Sequence, residues 1–154
     1  MLHKTIGRIL KVGVLLSTWG LIATVLLQIF CRFTPVETPS WTEEASRIFF
    51  IYATSFGAGL AMKNNYYVHL DMFYSRFPEK VQLILAKIIP MVVLFLFIVM
   101  AFYSLKFVLL GIPEKSPSMG FNMGVAFFSM FILSASISYY LWKKIQRNYK
   151  NSKV

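Results

Sequence analysis

Four stretches of this chain carry no Asp, Glu, Lys, Arg or His: residues 12–31, 48–62, 88–105 and 125–141. A helix needs about 20 apolar residues to cross about 30 Å of hydrocarbon. In lipid the backbone must also satisfy its own hydrogen bonds, which leaves helices and closed barrels as spanning structures. Runs of this length have helical rather than strand dimensions. They point to an all-α integral membrane protein with four transmembrane helices.

The segments between the runs set the boundaries. The first span is expected over 12–31, and the basic residues Lys4, Arg8 and Lys11 ahead of it resemble a signal peptide. The apolar run is about twice the usual length for one, and no small-residue cleavage pattern follows, so it reads as a retained span. Ser40-Trp41-Thr42-Glu43 has the form of a capping box, which starts the second helix at Trp41. Counted over 41–62, that helix has 22 residues and a length of about 33 Å. A stretch over 66–77 places Tyr66, Leu70, Phe73 and Phe77 at helical spacing and His69 on another face, as a short interfacial amphipathic helix would. The third span is expected over 78–110, with Pro78 at its first position and a kink at Pro90. The fourth is expected over 123–142.

Of the 154 residues, 57% are hydrophobic and 16 are basic against 6 acidic. Basic charge of this kind suits nucleic acid only when gathered on one polar face, and here it flanks apolar runs, so no nucleic-acid partner is expected. Twelve basic residues lie before the first run, between the second and third, or after the fourth. Only Arg32, Arg47, Lys106 and Lys115 lie on the other side, together with Glu37, Glu43, Glu44 and Glu114. Cytoplasmic flanks accumulate Lys and Arg, so both termini and the central loop are expected in the cytoplasm.

Catalysis or ion transport within a bilayer usually requires a charged or readily protonated group at membrane depth, and the four runs have no Asp, Glu, Lys, Arg or His. A proton-coupled multidrug exporter would need an embedded carboxylate. A haem anchor would need axial ligands inside helices, whereas His3 and His69 fall at the interface. The lone cysteine, Cys31, forms no internal disulfide. No enzyme activity, cofactor or metal is expected. Glu43 and Glu44 could pair to hold sodium or protons, but negative charge in a first helical turn is explained by the backbone dipole and free amides. His69 with Asp71 could form a pH-sensitive pair, or be solvated polar residues. On the second span Ala53, Gly57 and Ala61 recur every four residues with Gly59 nearby. Such a stripe permits close helix approach, either within this chain or against another subunit.

Trp41-Thr42-Glu43-Glu44, then Gly57-Ala58-Gly59-Leu60-Ala61-Met62-Lys63, then Val68-His69-Leu70-Asp71-Met72 closely resembles the small membrane subunit of tripartite ATP-independent periplasmic (TRAP) transporters, the DctQ-like family. The resemblance covers essentially the whole chain and is poorer at Glu114-Lys115-Ser116-Pro117-Ser118. It implies a non-catalytic scaffold in the bacterial inner membrane, in contact with membrane lipids, partnering a large elevator-type membrane subunit and a periplasmic substrate-binding protein. The import it implies is sodium-driven uptake of an organic acid; the resemblance is closest to small subunits of sialic acid transporters. Trp41, Glu43 and Glu44 would then organise the periplasmic end. Two other classes stand against it: a homo-oligomeric transporter or channel lined by Gln28, Thr54, Ser55 and Ser104, and a membrane anchor for a soluble enzyme.

Overall fold

The computed structural model describes residues 2–35, 37–63 and 78–151. These form four helices: α1 (Leu2–Phe33), α2 (Trp41–Lys63), α3 (Glu79–Gly111) and α4 (Gly124–Asn151). Among the described residues the only β pairing is a single antiparallel bridge between Lys115 and Asn122. The interfacial helix expected over 66–77, with His69 and Asp71, lies outside the described residues.

Three of the helices contain stretches long and apolar enough to cross a membrane: Thr5–Phe33, Lys87–Gly111 and Gly124–Arg147. The chain is therefore a multi-helix membrane protein. In α2 the charged residues Glu43, Glu44 and Arg47 fill the first two turns, which confines its purely apolar run to the 15 residues of 48–62. Two helices overrun the spans expected from hydropathy. α1 starts at Leu2 rather than 12, and α4 continues to Asn151 rather than ending near 142. Lys and Arg are good helix formers, so the basic flanks prolong both helices past the apolar boundary. Pro78 stands one position earlier than expected: its ψ of 147° is extended, and it serves as the N-cap of α3. Its carbonyl accepts from the N–H groups of Val81 and Gln82, at 2.9 and 3.1 Å. α3 continues through Pro90.

The helices stand in a row, α1–α2–α4–α3, each packed mainly on its neighbours in that order. Among the described residues α1 and α3 form its two edges and do not pack substantially on each other. The chain reverses between α1 and α2 and again between α3 and α4, which leaves the two inner helices, α2 and α4, running parallel. Tyr52 shows the register near one end, its hydroxyl donating to the Val125 carbonyl at 2.7 Å.

Each seam depends on missing side chains. On α1, a Cβ at Gly13 would lie 2.7 Å from the Phe56 ring, and one at Gly20 would lie 2.6 Å from the Phe49 ring. A Cβ at Gly7 would collide with the Lys63 side chain. Three long side chains of α2, seven residues apart, thus lie in three glycine notches of an antiparallel α1. The α3–α4 seam closes where Gly111 faces Gly124, with Phe107 and Phe127 edge-to-face at 6.1 Å. Away from this end, Leu10, Met62, Leu94, Ile137, Tyr140 and Leu141 make the principal buried cluster. Tight packing rather than burial of apolar area from water drives helix association in lipid, which accounts for small residues at every seam.

Candidate interaction surface and its loop clasp

The α3–α4 connection is an ordered hairpin. Ser116 N–H donates to the Phe121 carbonyl at 2.9 Å, Gly120 N–H to the Ser116 carbonyl at 3.0 Å and Met123 N–H to the Glu114 carbonyl at 2.9 Å. Its reversal takes Gly120 to φ = +69°, a conformation glycine adopts without steric cost. The tip docks on the first turn of α2 through Glu44. The Ser116 hydroxyl donates to Glu44 Oε2, Met119 N–H donates to the same oxygen at 3.0 Å, and Ser118 N–H donates to Oε1 at 3.1 Å. Two parts of the chain more than 70 residues apart are thereby joined by one carboxylate.

Glu44 stands ahead of the apolar run of α2, in the polar first turn. Its pKa is lowered from the ordinary carboxylate value, foremost by the Ser116 hydroxyl; partial desolvation opposes this, and the Ser118 and Met119 amides and nearby Arg47 reinforce it. A carboxyl group whose pKa is lower when docked stabilises the dock above its undocked pKa, and this is lost as the pH falls through the docked value. The hairpin should hold at neutral pH and loosen only in acid, as the pH falls through the lowered docked value. Glu44→Ala should release it at neutral pH, speeding amide hydrogen exchange at Ser118 and Met119 by about an order of magnitude, since hydrogen bonds to a charged group are among the stronger ones. Unchanged exchange at both amides would show that the hairpin holds without the carboxylate.

The other expected residues separate. Glu43 and Trp41 are exposed at the α2 start. The first turn is tied by fully buried Thr42, whose hydroxyl donates to the Pro39 carbonyl at 2.8 Å. With both Glu44 oxygens engaged by the hairpin, Glu44 is a tether rather than half of a cation pair with Glu43. Among the described residues no three of His, Cys, Asp and Glu come together as a metal-binding group.

The small-residue stripe divides. Gly59 packs inside the chain: its Cβ would meet Ser136 Oγ at 2.5 Å, Ser136 Cβ at 2.7 Å and Leu10 at 3.1 Å. A Cβ at Gly57 would meet nothing within 4 Å. Ala53 and Ala61 are partly buried. Gly57 therefore marks a stretch of α2 backbone that the described residues leave open.

The side chains considered as pore lining are occupied elsewhere. Thr54, Ser55 and Ser104 donate to carbonyls of their own helices, at 2.9, 2.7 and 2.8 Å, and Gln28 reaches Ser46 at 3.5 Å. A shallow crevice of about 320 Å³ opens between Tyr52, Val108, Ile112, Val125 and Phe128. It is apolar and open to the outside rather than a passage.

Fold and surface together define a small helical membrane protein with wide apolar faces and an ordered loop at one end. Residues 21–151 match the family model described as tripartite ATP-independent periplasmic transporters, DctQ component, and the chain belongs to this family. It is 30% identical over 94 residues to the sialic acid TRAP transporter small permease protein SiaQ of Vibrio cholerae, covering 61% of this chain and 54% of that protein. It is 26% identical over 113 residues to a putative TRAP transporter small permease protein of Haemophilus influenzae, covering 73% of this chain and 68% of that protein. The chain thus spans about half the length of the Vibrio relative and about two thirds of the other.

Proposed function

We propose that this chain is the non-catalytic scaffold of a TRAP transporter in the bacterial inner membrane. It lines up beside a large elevator-type membrane subunit that carries substrate and sodium. A periplasmic binding protein delivers an organic acid to that subunit, and the sialic acid relative in Vibrio cholerae favours N-acetylneuraminate. In this reading α2 also crosses the membrane, carried by its seams with α1 and α4. Both termini then face the cytoplasm, because most basic residues flank that side.

The row of helices is the observation that carries the proposal. A closed bundle encloses an axis where facing side chains can hold a substrate; a row α1–α2–α4–α3 encloses none. It does present broad apolar faces suited to lipid and to a larger helical partner. The homo-oligomeric channel is weaker because its candidate lining hydroxyls are bonded to their own helices.

Purification from the native membrane in mild detergent, followed by mass spectrometry, tests the reading. A much larger multi-span membrane protein at one-to-one stoichiometry is expected. Recovery of this chain only with copies of itself would favour the channel, and a peripheral enzyme released by high salt would favour an anchor. Liposomes containing this chain alone should show no sodium-driven uptake of N-acetylneuraminate; robust uptake would overturn the scaffold role.

A further inference from the structure

Lys63 is the third side chain in the α1 notches, in line with Phe49 and Phe56. The other two notches receive rings. Here a lysine stem lies across Gly7, which carries its ammonium onto the surface of α1 instead of out along the axis of α2. On α1, Lys11 is four residues beyond Gly7 and so shares its face, and Arg8 is a surface neighbour of Lys11 at three residues' spacing. Arg8 and Lys11 are both exposed. Three cations are thereby gathered at one end of the α1–α2 seam.

Nothing described in the chain neutralises them. Among the described side chains the carboxylates are Glu37, Glu43, Glu44 and Glu114, all at the opposite end of the helices. Lys143 has the Tyr139 ring beneath it at 5.0 Å, and Lys106 has the Phe102 and Tyr103 rings at 5.3 Å. Lys63 has no such ring and no carboxylate among the described residues. This end of the seam sits where the charge-free run of α1, which begins at residue 12, gives way to Arg8 and Lys11, and where α2 ends at Lys63. Basic residues that flank an apolar span generally sit at the level of the phospholipid headgroups.

We propose that Lys63, Lys11 and Arg8 form a headgroup site for an anionic phospholipid, seated at the α1–α2 seam. The occupant is a lipid rather than free phosphate because the cations border a fully apolar helix surface that an acyl chain can follow; Val12, Leu15 and Leu16 are exposed along it. It is net anionic because the cations that face it have no carboxylate partner among the described residues. Gly7 acts as a positioning residue by letting the lysine lie down. The proposal is independent of the scaffold reading.

Native mass spectrometry of the full chain in detergent, with phosphatidylglycerol or phosphatidylcholine added, tests it. The wild type should retain one phosphatidylglycerol in clear preference to phosphatidylcholine. Lys63→Gln should weaken that preference by about fivefold, the usual effect of one basic residue at an anionic surface, and Lys63→Arg should keep it. Gly7→Leu, which removes no charge but lifts the lysine, should weaken it to a similar degree. Equal retention of both lipids by the wild type, or an unaltered preference in Lys63→Gln, would overturn the site. Displacement of the lipid by millimolar inorganic phosphate would overturn its assignment to a lipid.

Discussion

Gly59→Leu is expected to prevent this chain from packing. The new side chain would enter a point where α1, α2 and α4 meet, and even its Cβ would sit 2.7 Å from Ser136 Cβ and 3.1 Å from Leu10. A Cβ is rooted in the backbone, so relief requires α2 and α4 to move apart beside the main buried cluster. Overpacking typically costs about 1–3 kcal/mol, and a clash this close to the main chain belongs at the upper end or beyond. The expected result is a severe fall in monodisperse protein after size-exclusion chromatography. Gly59→Ala should show a milder loss, and adding Ser136→Gly should restore it by removing both clashing atoms. If the double variant behaves no better than Gly59→Ala alone, the damage does not arise at this contact.

Gly57→Leu, two residues away, should do the reverse. Among the described residues nothing lies within 4 Å of the added Cβ, so folding should change by no more than about 0.5 kcal/mol, as for a surface position. If the open backbone at Gly57 is where the large subunit approaches, a leucine there holds the helices apart and removes the close packing on which association in lipid depends. Co-purification of the partner should then fall by tenfold or more, on the scale of roughly 1.4 kcal/mol per decade. A folded Gly57→Leu chain that retains its partner fully would place Gly57 against lipid and the interface elsewhere.

These two glycines show where sequence reasoning reached its limit. The stripe Ala53, Gly57 and Ala61 with Gly59 was legible as a packing feature, since small residues at four-residue spacing share a face. Which of them faces inward depends on how α2 is rotated about its axis, and that is decided by neighbours far away in the chain. The notches on α1 are not legible in the sequence, because Gly7, Gly13 and Gly20 are six and seven apart and are dispersed among residues whose dominant signal is hydropathy. Their meaning emerges only when Lys63, Phe56 and Phe49 are set opposite them in antiparallel register. The four helices were legible because a charge-free run of membrane length admits few alternatives. Their ends were less so, because basic residues sustain a helix after the apolar run stops. Glu44 was read as a first-turn acid satisfied by its own helix, whereas its partners are Ser116, Ser118 and Met119. Those residues carry no acid-binding signature, and two of them contribute only backbone amides.

The glycine notches also bear on how the chain is made. With an apolar run of 15 residues behind a charged first turn, α2 has little affinity of its own for the bilayer when it leaves the ribosome. α1 emerges first and is already suited to lipid. Its notched face offers Phe49 and Phe56 a docking surface as α2 follows in the opposite sense. If α2 crosses the membrane as proposed, the first two helices would enter it as a preassembled pair, and filling Gly13 or Gly20 would surface first as a biogenesis defect, with α2 stranded outside the membrane.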